Sequence, residues 1–547
     1  MAEQNQAVAA SSEVPKTRKP RSRRSRRLRW IFGIVLAVFA VLAVCVQIAV
    51  LRAEPILRTR LIETLSTRFK SRVELAELHV WIANGIHVGG KGLKIYGATD
   101  PNPWQAGVQP LLEIDEFRFQ TALRNLFREP MHVDTIFIDG LTVNVPPAKH
   151  RQEIKAMRRR SGKMSIAVEH FVCAGTKLII NTDRPGKPPL EFDISALQMI
   201  DMGPAQPLRF VATLVNPKPV GDIQSNGLFG PFNELSPRET ALAGVYSFTH
   251  ADLGTIRGIG GILSSTGQYG GTLGRLEVNG QTETPDFRLA VSGHPVPLHT
   301  EFHAIVDGTD GDTYLDPVHA RILSSSFTAQ GKIVRVTAPR GHDIVLQVNM
   351  ANARIEDLLQ LGVKTEPPIM SGTVQMHTKF RLPPGTGDIA DRLKLSGRFR
   401  VADGYFSNEK VQARVDGLSL RGLGQPKLLH DAAEFKVPSE LAGTFSLDRG
   451  MLSFSSLHFE VPGTNADMKG RYSLDGNTFD FRGHLKMEAK LSHMTTGWKS
   501  ILLKPVDPFF AKHGAGTEIP FKITGTREEP HFGTDFGHKN ESSLAGR

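Results

Sequence analysis

From residue 72 onward, apolar side chains recur at every second position. Phe117 and Phe119 flank Arg118, Leu141, Val143 and Val145 alternate with Thr142 and Asn144, and Phe287, Leu289 and Val291 share a parity. Phe399 and Val401 alternate with Arg398 and Arg400, Phe445 and Leu447 flank Ser446, and Phe479 and Phe481 flank Asp480. A period of two with one apolar and one polar side predicts antiparallel strands, so the fold class is mainly β. Asp-Gly pairs at Asp139-Gly140, Asp307-Gly308, Asp403-Gly404 and Asp475-Gly476 are expected to supply turns. Helical spacing is rare. It predicts one short helix over 353–361 and a second along the stripe Met487, Leu491, Met494, Trp498, Ile501 and Leu502. Two stretches, 149–163 and 216–240, read as linkers or long loops.

The N-terminus breaks this pattern. Residues 30–51 carry no charge and are long enough, at about 1.5 Å per residue, to cross a hydrocarbon core of roughly 30 Å as one transmembrane helix. Basic residues immediately before it are expected to stay on the cytoplasmic side, which sends the body across the membrane. A cleaved signal peptide has the same order of charge and apolarity but a shorter apolar centre. Behind the span, Ile56, Leu57, Leu61, Ile62, Leu65 and Phe69 form one face of an amphipathic helix over 54–70, at the membrane exit. The layout expected is a basic tail at 1–29, the span, the exit helix, β regions at 71–148, 164–350 and 351–536, and a tail at 537–547.

Charge and cysteine usage narrow the function. The chain has 66 Lys and Arg against 55 Asp and Glu, but nine of the basic and two of the acidic residues lie before residue 30. The remainder, 57 against 53, is nearly balanced, and no nucleic-acid partner is expected. The two cysteines, Cys45 and Cys173, support no disulfide framework.

Candidate chemistry is sparse. His294, His299, Glu301 and His303 precede Asp307, Asp310, Asp312 and Asp316, but match neither a zinc nor an EF-hand frame, and read as a polar strand face followed by a turn. The glycine-rich run 258–274 lacks a phosphate-loop frame and reads as a flexible loop. There is no G-x-S-x-G elbow. No enzyme activity, metal or cofactor is expected. A loose repeat, Gly397 to Gly404, Gly443 to Gly450 and Gly470 to Gly476, suggests stacked strand-and-turn units. Such a sheet must cover its apolar face with a second sheet, as a sandwich, or with a ligand. About 25 strands at roughly 4.8 Å spacing would make a sheet about 120 Å long.

At this point the residues resemble the AsmA family. Residues 57–145 look like its start, with VELAELHVWIANGIHVGGKGLKIYG, LLEIDEFRFQTALRNLF and VDTIFIDGLTVNV, and residues 441–536 look like its C-terminal region, with GTFSLDRGMLSFSSLHFEVPG, DGNTFDFRGHL and GTEIPFKITGTREEPHF. Together these cover about a third of the chain, and they are patterns of strand and turn rather than of catalysis. The resemblance implies an inner-membrane-anchored periplasmic protein, single-pass, related to bridge-like repeating β-groove lipid transfer proteins. Its elongated curved antiparallel sheet would hold phospholipid or another acyl lipid on a concave apolar face and contribute to phospholipid transport and outer-membrane biogenesis. The partners implied are lipid, the inner membrane, and outer-membrane assembly or transport proteins. The alternative is a periplasmic scaffold assisting outer-membrane protein assembly. Candidate groove residues are Phe287, Leu289, Val291, Phe399, Val401, Phe445, Leu447, Leu452, Phe454, Phe479 and Phe481. Leu491, Met494, Trp498 and Ile501 would cover the groove.

Overall fold

The computed structural model describes residues 72–83, 85–96, 109–122, 131–145, 166–181, 189–203, 206–233, 236–364, 366–428, 436–473, 478–494, 516–526 and 529–534, with scattered residues between 38 and 66 and Asn125. The transmembrane span expected at 30–51 lies outside them, except Val38, Ala40, Val41 and Val44, which are helical and exposed. Among the described residues, no helix is long and apolar enough to cross a membrane.

All 25 strands join one open sheet. Nearly every strand pairs antiparallel with its sequence neighbours, so the chain is a meander from β1 (Val73–Glu74) to β25 (Pro530–Thr534). Two strands add no length. β1 and β2 (Glu77–Ala83) both pair with β3 (Gly85–Ile95), and β11 (Ile259–Gly260) and β12 (Ile262–Thr272) both pair with β13 (Arg275–Leu289). The 25 strands less β1 and β11 leave 23 rungs, about 105 Å along the sheet rather than about 120 Å.

One pairing departs from the expected antiparallel order: β5 (Met131–Val145) and β6 (Ile166–Ile180) are parallel. Parallel neighbours need a connection of a dozen or more residues, and the basic stretch read as a linker falls between them. The second expected linker is not one. Residues 216–240 include strand β9 (Val220–Phe229), paired on both sides. Its Gly and Asn content hid an alternation in which Ile223, Gly227 and Phe229 share a face. The glycine-rich run 258–274, expected as a flexible loop, contains β12, where Gly267 faces an adjoining Tyr246 ring that leaves no room for a β-carbon.

Two of the four Asp-Gly pairs are irregularities inside strands rather than turns. Gly140 has φ +66° within β5, and Asp403 has φ +53° within β19 (Lys394–Phe406), where the register shifts. Gly92 and Gly175 share the left-handed φ of Gly140, at +63° and +66°, on β3 and β6. The three form one crease where the registers of β3 to β6 all skip a residue. Asp307-Gly308 does turn the chain between β14 (Val296–Val306) and β15 (Thr313–Ile322).

Helices gather along one long edge. α1 (Ile355–Gly362) forms where spacing predicts it. Its buried Asp357 accepts hydrogen bonds from Ser324 N (3.1 Å), Ser324 Oγ (2.7 Å) and Ser325 Oγ (2.7 Å), pinning it to the neighbouring hairpin. A four-residue turn, α2 (Ile389–Arg392), lies at the opposite edge. α3 (Glu409–Gly422) links β19 to β20 (Ser439–Asp448), with Asn408 capping its N-terminus through bonds from Lys410 N and Val411 N. The helix expected over 487–502 is not continuous: Met487 ends β23 (Thr478–Met487), and Leu491–Met494 is a short 3₁₀ turn. The apolar stripe began inside a strand, whose inward positions Phe481, Leu485 and Met487 merge with it.

Buried side chains cluster at two places. One group, including Leu75, Leu78, Ile114, Phe117 and Phe171, lies at the first strands, and the helical residues Leu61 and Ile62 pack against it. Arg58, also helical, donates to Leu75 O at 2.9 Å. The other, Met350, Ala353, Met370, Val374 and Val401, sits under α1.

Candidate functional site

The register carries two neighbouring apolar rows across the sheet. One runs from Val80 through Val88, Phe119, Ile136, Phe171, Met199, Phe210, Gly227, Gly244, Tyr269 and Val278 to Ala304. It continues through Leu315, Gly331, Leu346, Phe380, Leu395, Leu447, Leu452, Tyr472 and Phe479 to Gly525. The second starts at Leu78, Gly90, Phe117, Ile138 and Cys173, passes Phe302, Val318, Ala329 and Val348, and ends through Phe445, Phe454, Gly470, Phe481 and Ile523 at Phe532. Neither row contains a charged residue. A β-bulge keeps them in phase: the one between Leu315 and Val318 lets odd-numbered Leu315 and even-numbered Val318 share a face, as the one between Thr284 and Phe287 does for Phe287 further along β13.

Rings and glycines interlock along these rows. Gly397 is paired with Phe445, Gly443 with Phe399, and Gly470 with both Phe454 and Phe481. Phe399 meets Phe445 and Phe454 edge-on at 6.0 and 6.2 Å, and Phe454 lies 5.9 Å from Phe481, which lies 6.5 Å from Phe479. Such spacings favour edge and tilted aromatic contacts. A ladder of five phenylalanines thus lines β19 to β23.

Midway along the sheet the floor changes. Tyr269 lies over Gly244, with its hydroxyl 2.6 Å from Ser225 Oγ, and Tyr246 lies over Gly267, with its hydroxyl 3.1 Å from Ser265 Oγ. Thr282 and Thr300 pair their hydroxyls at 2.7 Å. Burial raises both tyrosine pKa values, an effect the serine hydrogen bonds partly offset. These rings therefore stay neutral and present their faces. Burial also pushes the Cys173 thiol up.

The opposite face is polar, with ion pairs such as Arg400–Glu440 at 2.7 Å and Lys486–Asp467 at 2.9 Å. His299 and His303 lie on it, bonded to Glu283 (2.6 Å) and Asn279 (2.9 Å), while His294 Nδ1 sits 3.1 Å from Gln360 O. Asp307 instead takes Arg238 and Thr309 at 2.6 and 2.5 Å. Burial alone would raise its carboxyl, but the Thr309 hydroxyl and N–H, with Arg238, outweigh burial and hold it below the usual range. Among the described residues, no group of three or more His, Cys, Asp or Glu is placed to hold a metal. A hollow of about 460 Å³ on this face is lined by Gln330, Gln347, Asn349, His377 and Lys379.

Of the expected groove residues, Phe399, Val401, Phe445, Leu447, Leu452, Phe454, Phe479 and Phe481 share the apolar face. Phe287 joins them beside Val296, and Leu289 pairs with Ile259. Val291 does not: β13 ends at Leu289, and Val291 stands exposed in the turn beyond. Leu61, Ile62 and Leu65 are half-buried helical residues, whereas Ile56, Leu57 and Phe69 lie outside the described residues. Met494 is buried and Leu491 begins its 3₁₀ turn, while Trp498 and Ile501 lie outside. Tyr246, Tyr269, Phe302 and Phe380 were missed as members of the face, although their parity within each strand marked them. No family model, curated protein or solved structure matches the chain.

Proposed function

We propose that the apolar face is a curved groove that binds lipid acyl chains, in an AsmA-like protein tethered to the inner membrane with its body in the periplasm. In this reading the protein contributes to phospholipid transport and outer-membrane biogenesis. The observation that carries it is the pair of charge-free rows over 22 strands of an open sheet. Phe445, Phe454 and Phe481 on these rows are only half-buried, whereas in a closed sandwich they would be fully enclosed. On their strands and the adjoining strand β19, Arg398, Ser446 and Arg482 are exposed, as expected if side chains converge on one face and splay on the other. An apolar surface this long is costly in water, and each methylene that moves from water onto it gains about 0.8 kcal/mol. Because the rows are continuous, a chain moving along them keeps its apolar contacts.

The test is face-specific crosslinking in cells. A photoreactive phenylalanine analogue at Phe445 or Phe454 is expected to yield lipid adducts by mass spectrometry, and the same analogue at Ser446 or Ser456 none. Equal lipid labelling from both faces would refute the groove. A second reading, a scaffold for outer-membrane protein assembly, is favoured by the outer edge of β25, which has no strand partner among the described residues. Protein adducts in place of lipid at Phe445 and Phe454 would favour it.

A further inference from the structure

We infer that the edge carrying α3 is a second membrane-contact surface, one that docks on anionic lipid headgroups. This does not depend on the groove carrying lipid. Exposed large apolar side chains gather here: Val411, Leu423 and Leu428 on and just after α3, with Ile369 and Tyr405 beside its start. Ser407 N donates to Ile369 O at 3.1 Å, which fixes that neighbourhood.

The charge around them is one-sided. Over 408–428, which covers α3 and the turn after it, four exposed basic residues, Lys410, Arg414, Arg421 and Lys427, face one exposed acidic residue, Glu409, because Asp416 is buried and takes Gln412 Nε2 at 2.8 Å and Val437 N at 2.9 Å. Lys410, Arg414 and Arg421 form no ion pair among the described residues. On the helix, Val411, Arg414, Leu418 and Arg421 follow one another at intervals of three and four, on one stripe. The opposite stripe is held down: Gln412, Ser419 and Leu420 are buried, and Ser419 Oγ donates to Pro462 O at 2.7 Å.

A fixed helix whose outward stripe mixes apolar and basic side chains suits an interface of acyl chains and phosphates. A protein partner would more often meet a patch depleted of lysine. The position is also informative. From β2 to β19 there are 16 strand spacings, about 75 Å along the sheet. Along the sheet the surface therefore lies far from the first strands, which leaves it to a second bilayer.

The experiment uses the full chain in phosphatidylcholine proteoliposomes, mixed with labelled vesicles of phosphatidylcholine alone or with phosphatidylglycerol, and reads co-flotation. Wild type is expected to capture the anionic vesicles only. The combination Lys410→Glu, Arg414→Glu, Arg421→Glu should weaken capture by roughly a hundredfold or more, at about one kcal/mol per basic residue. A control with equal charge change on the polar face, Arg321→Glu, Lys332→Glu, Arg398→Glu, should retain it, and Val411→Asp should lose it without altered circular dichroism. Unchanged capture by the α3 variant, equal loss in the control, or equal capture of uncharged vesicles would overturn the inference.

Discussion

Gly470 shows how single residues set this face. Its missing β-carbon is the space that the Phe481 ring fills, and any side chain would also collide with the Asp480 carbonyl. Gly470→Val is therefore expected to cost about 1–3 kcal/mol as an overpacking change, seen as lost hydrogen-exchange protection in β22 (Thr464–Ser473) and β23. Protection equal to wild type would mean the ring has room to move. Asp307 gives a pH-dependent counterpart. Its carboxyl titrates below the usual range, so its stabilisation of the turn is full above the unfolded pKa, about 4, and fades as pH falls through the folded value. Hydrogen exchange at 308–312, corrected for intrinsic rates, should rise over that acidic window in wild type and be raised already at neutral pH in Asp307→Ala. The phenylalanines were legible in the sequence because parity within a strand is local. The glycines that receive them were not, because Gly470 and Phe481 meet only once the register between strands is known. Val291 was misread because parity does not say where a strand stops.

Among the elements, α3 is the one the sequence concealed. Its buried residues include Gln412, Asp416, Ser419 and two glycines, so the inward face carries little apolar periodicity. The readable signal was its cap: Asn408→Ala should cost about 1 kcal/mol, measured as faster exchange in the first turn of α3 with β19 unaffected. The inward polar groups are matched one for one, Gln412 taking Phe406 N through its carbonyl and Asp416 through its amide. α1 is the converse case, legible through Leu358 and Leu359 but fastened by an acid. Asp357→Ala would leave two hydroxyls and an amide without their acceptor, and is expected to destabilise that edge by about 2–3 kcal/mol, against a smaller loss for Asp357→Asn. The parallel β5–β6 pair left no trace in periodicity, since alternation is the same for either direction.

At the scale of the whole molecule, the sheet is long for its mass. A compact chain of 547 residues would have a radius of gyration of about 24 Å, whereas a sheet of about 105 Å alone gives about 30 Å or more. Neutron scattering with the detergent matched out should return the larger figure, and a value near 24 Å would mean that the sheet coils back on itself. Fold class was readable from alternation alone, but continuity was not: the two rows stay side by side across β15 only because the bulge between Leu315 and Val318 corrects the phase.

The meander also bears on how the chain acquires its shape. Leaving β11 aside, each strand after β6 pairs with the strand made before it, so contacts are local in sequence and loop-closure costs stay small. A chain emerging N-terminus first can therefore add rungs in the order of synthesis, without waiting for its far end. The connections 146–165, before the parallel β5–β6 step, 407–438 and 488–516 are the longest, and the progression is expected to pause there.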